Sequence, residues 1–313
     1  MRSTKAHWIA VFSVAILLLT LTIDATAKRS IVSSDFFVKT ADGVSIHVHR
    51  KVATKGRKVP VLLIHGIWSD GRTWDFPGRS VMDYLAENGY DTYALDLRGM
   101  GSSDHPADYS TIDILNRVQD AAAVATYIVA STGRIPVVAG WSQGGVITGL
   151  LAASAPRLVA GVGFFSVPGD GFFVPEQFVP LLQNVVASGV DRYLPTPDVL
   201  FAIAFAIDPV TGQPTISPDA FATFASMSQP DSVRAILESV SPDFFAAALL
   251  PAWPKIQVPA LVVDGALDPL VGKDRAQALL DALGSKQKQI IILPRNGHGW
   301  FLEDNFAQFL SQF

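Results

Sequence analysis

One serine, one aspartate and one histidine, in that chain order, have surroundings suited to chemistry. Ser142 lies in Gly140-Trp141-Ser142-Gln143-Gly144, which fits the pattern G-x-S-x-G. An apolar run at 135–139 precedes it, and Gly145 with a helix-like stretch at 146–155 follows. Strand, sharp turn and helix in that order hold a serine in a strained backbone conformation. The flanking glycines leave room for neighbouring backbone. A hydroxyl placed this way stands clear of the sheet edge. The Gln143 N–H, at the start of the helix, would then aim at an oxygen on which negative charge develops. A serine hydroxyl is a weak nucleophile, so it needs a base within reach and an acid to orient that base.

Downstream of Ser142 there is one histidine, His298, in Arg295-Asn296-Gly297-His298-Gly299. It follows the last apolar run directly, and glycines on both sides let its loop bend. The acid is read as Asp268, just beyond the run Leu261-Val262-Val263-Asp264-Gly265. Asp170 is the second choice, and Asp264 lies too close to the strand. An Asp-Pro pair is also an ordinary turn former, so Asp268 as a mere turn residue is the competing reading. Such a trio supports acyl transfer, whose tetrahedral intermediates carry an oxyanion that needs preorganised donors. The Gln143 N–H is one. A second is expected from the loop after the third strand, His65-Gly66-Ile67-Trp68, with the Ile67 N–H first and Trp68 second. His65 reads as a structural support.

These residues need a sheet to carry them. Short apolar runs at 59–64, 91–95, 135–139, 159–165, 260–263 and 289–293 read as buried strands, and 36–39 with 44–51 as a hairpin around Asp42-Gly43. Helical spacing separates them at 81–88, 111–131, 146–155 and 274–283. In the second of these, Leu115, Val118, Ala122, Ala125 and Ile128 share a face. A last helix presents Leu302, Phe306, Phe309, Leu310 and Phe313 on one side. Buried strands alternating with helices imply an α/β fold, a mostly parallel doubly wound sheet of about eight strands.

Residues 171–250 break that alternation. They hold nine phenylalanines, two arginines, eight acids and helical patches at 199–207, 220–227 and 232–239. This stretch reads as a helical cap inserted between a first core part, 28–170, and a second, 251–313, on the sheet edge where α/β ligand sites lie. Residues 1–27 read as a signal peptide. Arg2 and Lys5 lead an apolar run at 8–23, short for a span of ~20 residues, and Ala25-Thr26-Ala27 suits cleavage. The protein is then secreted or periplasmic and meets the membrane only transiently, the alternative being an N-terminal anchor. The 313 residues carry a formal net charge of −4 and contain no cysteine. No basic stretch points to nucleic acid, and disulfides and a cysteine nucleophile are excluded.

Five motifs together carry a resemblance to the α/β-hydrolase superfamily, in its cap-bearing group: His65-Gly66, Asp96-x-Arg98-Gly99-x-Gly101-x-Ser103, Gly140-Trp141-Ser142-Gln143-Gly144, Gly265-x-x-Asp268 and Gly297-His298. The resemblance covers about residues 36–313 and implies an α/β-hydrolase fold with a Ser-Asp-His triad in that chain order. It also implies that the loop 96–103 is structural. The chain departs from members with a Gly-Gly-Gly oxyanion loop, having one glycine there. Related dehalogenases and epoxide hydrolases use aspartate at the elbow, which Ser142 argues against. The expected activity is carboxylic-ester hydrolysis without metal or cofactor. Trp68, Trp141 and Trp300 under a phenylalanine-rich cap suggest a small-molecule ester with apolar groups. Carbon–carbon bond hydrolysis, lactone hydrolysis and perhydrolysis on the same triad are the alternatives, with a non-catalytic binding module as the rival from another class.

Overall fold

The computed structural model describes residues 30–55, 58–306 and 310. The expected signal peptide, and Phe309 and Phe313 of the expected last helix, lie outside the described residues.

Eight apolar segments form one sheet: β1 (Ile31–Lys39), β2 (Ser45–Ala53), β3 (Val59–Ile64), β4 (Tyr90–Leu95), β5 (Val137–Trp141), β6 (Gly161–Phe165), β7 (Ala260–Gly265) and β8 (Lys288–Leu293). Their spatial order is β1-β2-β4-β3-β5-β6-β7-β8. β2 runs antiparallel to both neighbours, and every other pairing is parallel. Alternate residues of the central strands feed two cores. Leu62, Ile64, Val138 and Phe164 pack on one face, while Val61, Leu63, Ala139 and Phe165 pack on the other. Both faces are covered, so these strands read as continuous apolar runs rather than alternating ones.

Helices α1 (Val81–Glu87), α2 (Ile114–Thr132) and α3 (Gln143–Ser154) link the strands up to β6. Between β6 and β7 the chain forms α4 (Val179–Ser188), α5 (Pro197–Ala204), α6 (Pro218–Met227) and α7 (Val233–Val240), and α8 (Gly272–Ala282) joins β7 to β8. The chain leaves β3 toward β4 on one side and returns to β5 on the other. The carboxyl ends of β3 and β5 therefore flank a point where strand order reverses, the usual ligand position in open α/β sheets.

Two expectations need correction. On α2 the buried face holds Ile114, Arg117, Ala121, Val124, Ala125 and Ile128, while Leu115 is 56% exposed. Apolar periodicity missed the true stripe because two of its members, Arg117 and Asp120, are charged residues buried against ionic partners. Helix α4 was not expected, since Pro180 interrupts its sequence. Proline in the first turn is compatible with a helix because that N–H has no intrahelical partner.

Candidate active site

The turn after β5 is built as the glycines suggested. Ser142 has φ 55° and ψ −121°, and α3 begins at Gln143. A Cβ on Gly140 would lie 2.1 Å from the Gly144 carbonyl oxygen, and one on Gly144 would lie 2.2 Å from the Ile64 oxygen. The turn is therefore sterically closed to any larger residue at either position. The Ser142 N–H donates to the Phe165 carbonyl at 2.9 Å, tying the turn to β6.

His298 sits on the loop after β8, buried, with Nδ1 2.7 Å from Asp268 Oδ2. Asp268 stands just past β7, and its other oxygen accepts the Leu270 and Val271 N–H groups at 2.7 and 3.1 Å. Burial pushes its carboxyl upward, but the adjacent His298 imidazole and these donors hold it below the ordinary carboxylate value. Asp264, the penultimate residue of β7, behaves oppositely. Burial and the neighbouring Asp268 charge raise it well above the usual range. Asp170 is exposed beside Arg275, 3.7 Å away, and takes no part.

Ser142 and His298 line one small cavity with Ile67, Trp68, Trp141, Leu200, Ile203, Ala204, Phe224 and Leu270. Its volume is about 30 Å³, room for a water molecule or two. His298 Nε2 is buried and makes no hydrogen bond among the described residues, and the Ser142 hydroxyl makes none to it. Unliganded serine–histidine pairs are commonly looser than the reacting geometry. The backbone N–H groups of Ile67 and Gln143 likewise donate to no acceptor among the described residues. His65 is a support, as expected. Its Nδ1 meets the Gly66 carbonyl at 2.7 Å, its Nε2 accepts from the Leu97 N–H at 3.1 Å, and burial lowers its pKa. The loop 96–103 is structural too: Asp96 accepts from the Gly71 and Ser102 N–H groups at 2.7 and 2.8 Å.

Among the described residues three non-glycines have positive φ: Trp68 at 57°, Ser142 at 55° and Ser166 at 55°. Each costs on the order of 1–2 kcal/mol, and all three surround this cavity or the histidine loop. Trp68 and Trp141 line the cavity. The Trp141 indole N–H and the Ser166 hydroxyl both donate to the His298 carbonyl at 2.8 Å, which fixes the imidazole-bearing loop. Trp300 does not line the cavity, contrary to expectation. It packs within the core cluster that also holds Trp141 and Phe224, with its ring 5.3 Å from Phe165 and 5.5 Å from Phe301. It begins the 3₁₀ turn Trp300–Leu302, and its side chain is directed into the core against Phe165 and Phe301 rather than into the cavity.

Ser166 and Glu303 escaped sequence reasoning. Ser166 had one signal, its place directly after a buried apolar strand. Glu303 stands alone after Trp300-Phe301-Leu302. Its carboxyl accepts from the Gly297 N–H at 2.9 Å, Asn296 Nδ2 at 2.6 Å and the Thr215 hydroxyl at 2.7 Å, so it pins the histidine loop to the segment before β7. Burial outweighs those donors and pushes its pKa up to about 7. The folded protein thus holds a proton that the unfolded chain releases near 4.5. Stability is full below that lower value and falls as pH rises toward 7, by roughly 3 kcal/mol. Glu303→Gln should flatten this part of the unfolding free energy against pH. An unchanged slope in urea titrations at pH 5 and 7 would refute the assignment.

The family model described as alpha/beta hydrolase family matches residues 61–312. An AB hydrolase superfamily protein of Gibberella zeae is 34% identical over 42% of this chain and 42% of its own length. A triacylglycerol lipase of Pseudarthrobacter phenanthrenivorans is 29% identical over 41% of this chain and 38% of its own. The matched region thus spans less than half the length of these curated relatives. Among solved structures, an esterase from Exiguobacterium antarcticum superposes with a TM-score of 0.66 at 21% identity, covering 88% of this chain and 96% of that one. An enol-lactonase from Burkholderia xenovorans gives 0.67 at 18%, covering 88% and 97%. The eight-stranded order, the serine turn and the family match over most of the chain place this protein in the alpha/beta hydrolase family.

Proposed function

We propose that this protein is an exported serine hydrolase cleaving carboxylic esters with apolar groups. The observation that carries the reading is the Asp268–His298 pair opening on the same enclosed cavity as the strained Ser142. In this reading His298 Nε2 takes the Ser142 proton as Oγ attacks the ester carbonyl. The Ile67 and Gln143 N–H groups receive the oxyanion. The intermediate collapses, the C–O bond to the alcohol breaks, and the alcohol leaves with the proton from His298. Water then gives a proton to His298, attacks the acyl carbon, and the Ser142 oxygen departs reprotonated. Asp268 holds Nδ1–H throughout and stabilises the imidazolium. Export rests on the basic, apolar and Ala25-Thr26-Ala27 segments at the N-terminus.

The helices between β6 and β7 serve as the cap in this reading, and apolar side chains from α5 and α6 set the substrate class. Leu200, Ile203 and Phe224 face the serine across a space too small for an acyl chain. Leu200→Ala should therefore raise kcat/KM for p-nitrophenyl hexanoate relative to acetate by about 10-fold, within the range a few methylenes contribute in an apolar pocket. An acetate-only enzyme whose preference Leu200→Ala leaves unchanged would contradict the apolar-pocket reading. Lactones and vinylogous diketones in the same panel separate the ester reading from lactone and carbon–carbon bond hydrolysis.

A further inference from the structure

The loop Ile67–Trp68 holds a non-glycine residue in the left-handed region, and what holds it there comes from elsewhere in the chain. The Gln229 N–H donates to the Trp68 carbonyl at 2.9 Å. The Trp68 indole N–H donates to the Tyr193 carbonyl at 2.9 Å, and its backbone N–H to Asp231 Oδ2 at 3.3 Å. All three partners belong to the segment between β6 and β7. Asp231 is fully buried and pairs through both oxygens with Arg117 of α2, equally buried. The same guanidinium donates to the Gln143 side-chain oxygen, and Gln143 Nε2 donates to Ala235 O at 3.1 Å and Ser239 Oγ at 2.6 Å.

One buried ion pair therefore touches both walls of the site, the Ile67–Trp68 loop and the residue after Ser142. A pair of this kind adds little to stability, since apolar replacements of similar volume often fold as well. Its distinctive property is direction: charge-assisted hydrogen bonds fix the groups they join. Because the Trp68 N–H is committed to Asp231, the Ile67 N–H is the donor this loop leaves for a ligand. In place of additional loop glycines, the chain uses an acid supplied by the β6–β7 segment to impose the required backbone.

We infer that Asp231 and Arg117 are positioning residues for the oxyanion donors Ile67 and Gln143. This rests on the serine-hydrolase reading above. Donors that are loosened rather than removed should cost less than the 10²–10³-fold seen on deleting one. Asp231→Asn keeps an acceptor for Trp68 but loses the charge, and should lower kcat about 10-fold with KM within threefold. The paired variant Arg117→Met/Asp231→Leu removes both charges together, so neither is left stranded, and should lower kcat about 30-fold. Affinity for a trifluoromethyl ketone, whose adduct with Ser142 bears an oxyanion, should fall in parallel with kcat/KM. A merely structural pair would lower folded yield and leave both quantities per folded molecule unchanged. Cooperative unfolding with kcat and inhibitor affinity within threefold of wild type overturns the inference. If the paired variant does not fold, Asp231→Asn decides by the same two readouts. Wild-type protein that neither hydrolyses esters nor reacts with a fluorophosphonate overturns the hydrolase reading instead, and with it this inference.

Discussion

Ser142→Ala should reduce ester turnover by a factor on the order of 10⁴ to 10⁶ while the protein unfolds at an unchanged temperature. The loss is large because, in the proposed mechanism, serine, histidine and acid act as a unit. Without the oxygen, only the donors and binding contacts remain to favour reaction with water. Stability should hold because the Ser142 hydroxyl makes no hydrogen bond among the described residues, and the backbone strain at φ 55° is the same for alanine. A fluorophosphonate should label wild type at this serine and leave the variant unlabelled. Labelling of Ser142→Ala at full intensity would move the nucleophile elsewhere and remove the basis for the reading.

Asp268→Asn should cost about 10⁴-fold in kcat, and Asp264→Asn less than about 10-fold, although the two side chains are neighbours. The contrast follows from protonation. Asp268 is ionised and accepts from His298 Nδ1–H. An amide there can present its N–H₂ and favour the tautomer that leaves the proton on Nε2. Burial and the Asp268 charge push the Asp264 carboxyl well above the usual range, toward the neutral form that an asparagine resembles. Equal losses in the two variants would mean that the buried carboxyls share their roles and that Asp268 alone is not the orienting acid.

How much could be read beforehand depended on how local each signal was. The serine turn was legible because G-x-S-x-G encodes its own geometry, with Gly140 and Gly144 excluded from larger residues by contacts of 2.1 and 2.2 Å. The parallel strands were legible because burial on both faces leaves contiguous apolar runs. The meeting of Asp268 with His298 could be anticipated from their places after β7 and β8. The rest lay in contacts between distant parts of the chain. Asp231 meets Arg117 across 114 positions, and nothing near either residue announces the other. Arg117, with Asp120, also rotated the apparent buried face of α2, since a buried charged residue looks like a surface residue to any apolar pattern. Trp300 failed for the opposite reason: closeness in sequence to His298 suggested shared surroundings, and a single tight turn separated them. Glu303 was invisible because its partners, Asn296, Gly297 and Thr215, come from two different loops.

The roughly 30 Å³ chamber beside Ser142 has a kinetic consequence. On the proposed serine-hydrolase function an acyl group could not enter a space of this size, so substrate binding would require the side chains of α5 and α6 that line it to move. Capture would then depend on how often that space opens as well as on how often an ester arrives. A bulky covalent inhibitor would meet a ceiling on its rate of attack that raising its concentration could not lift.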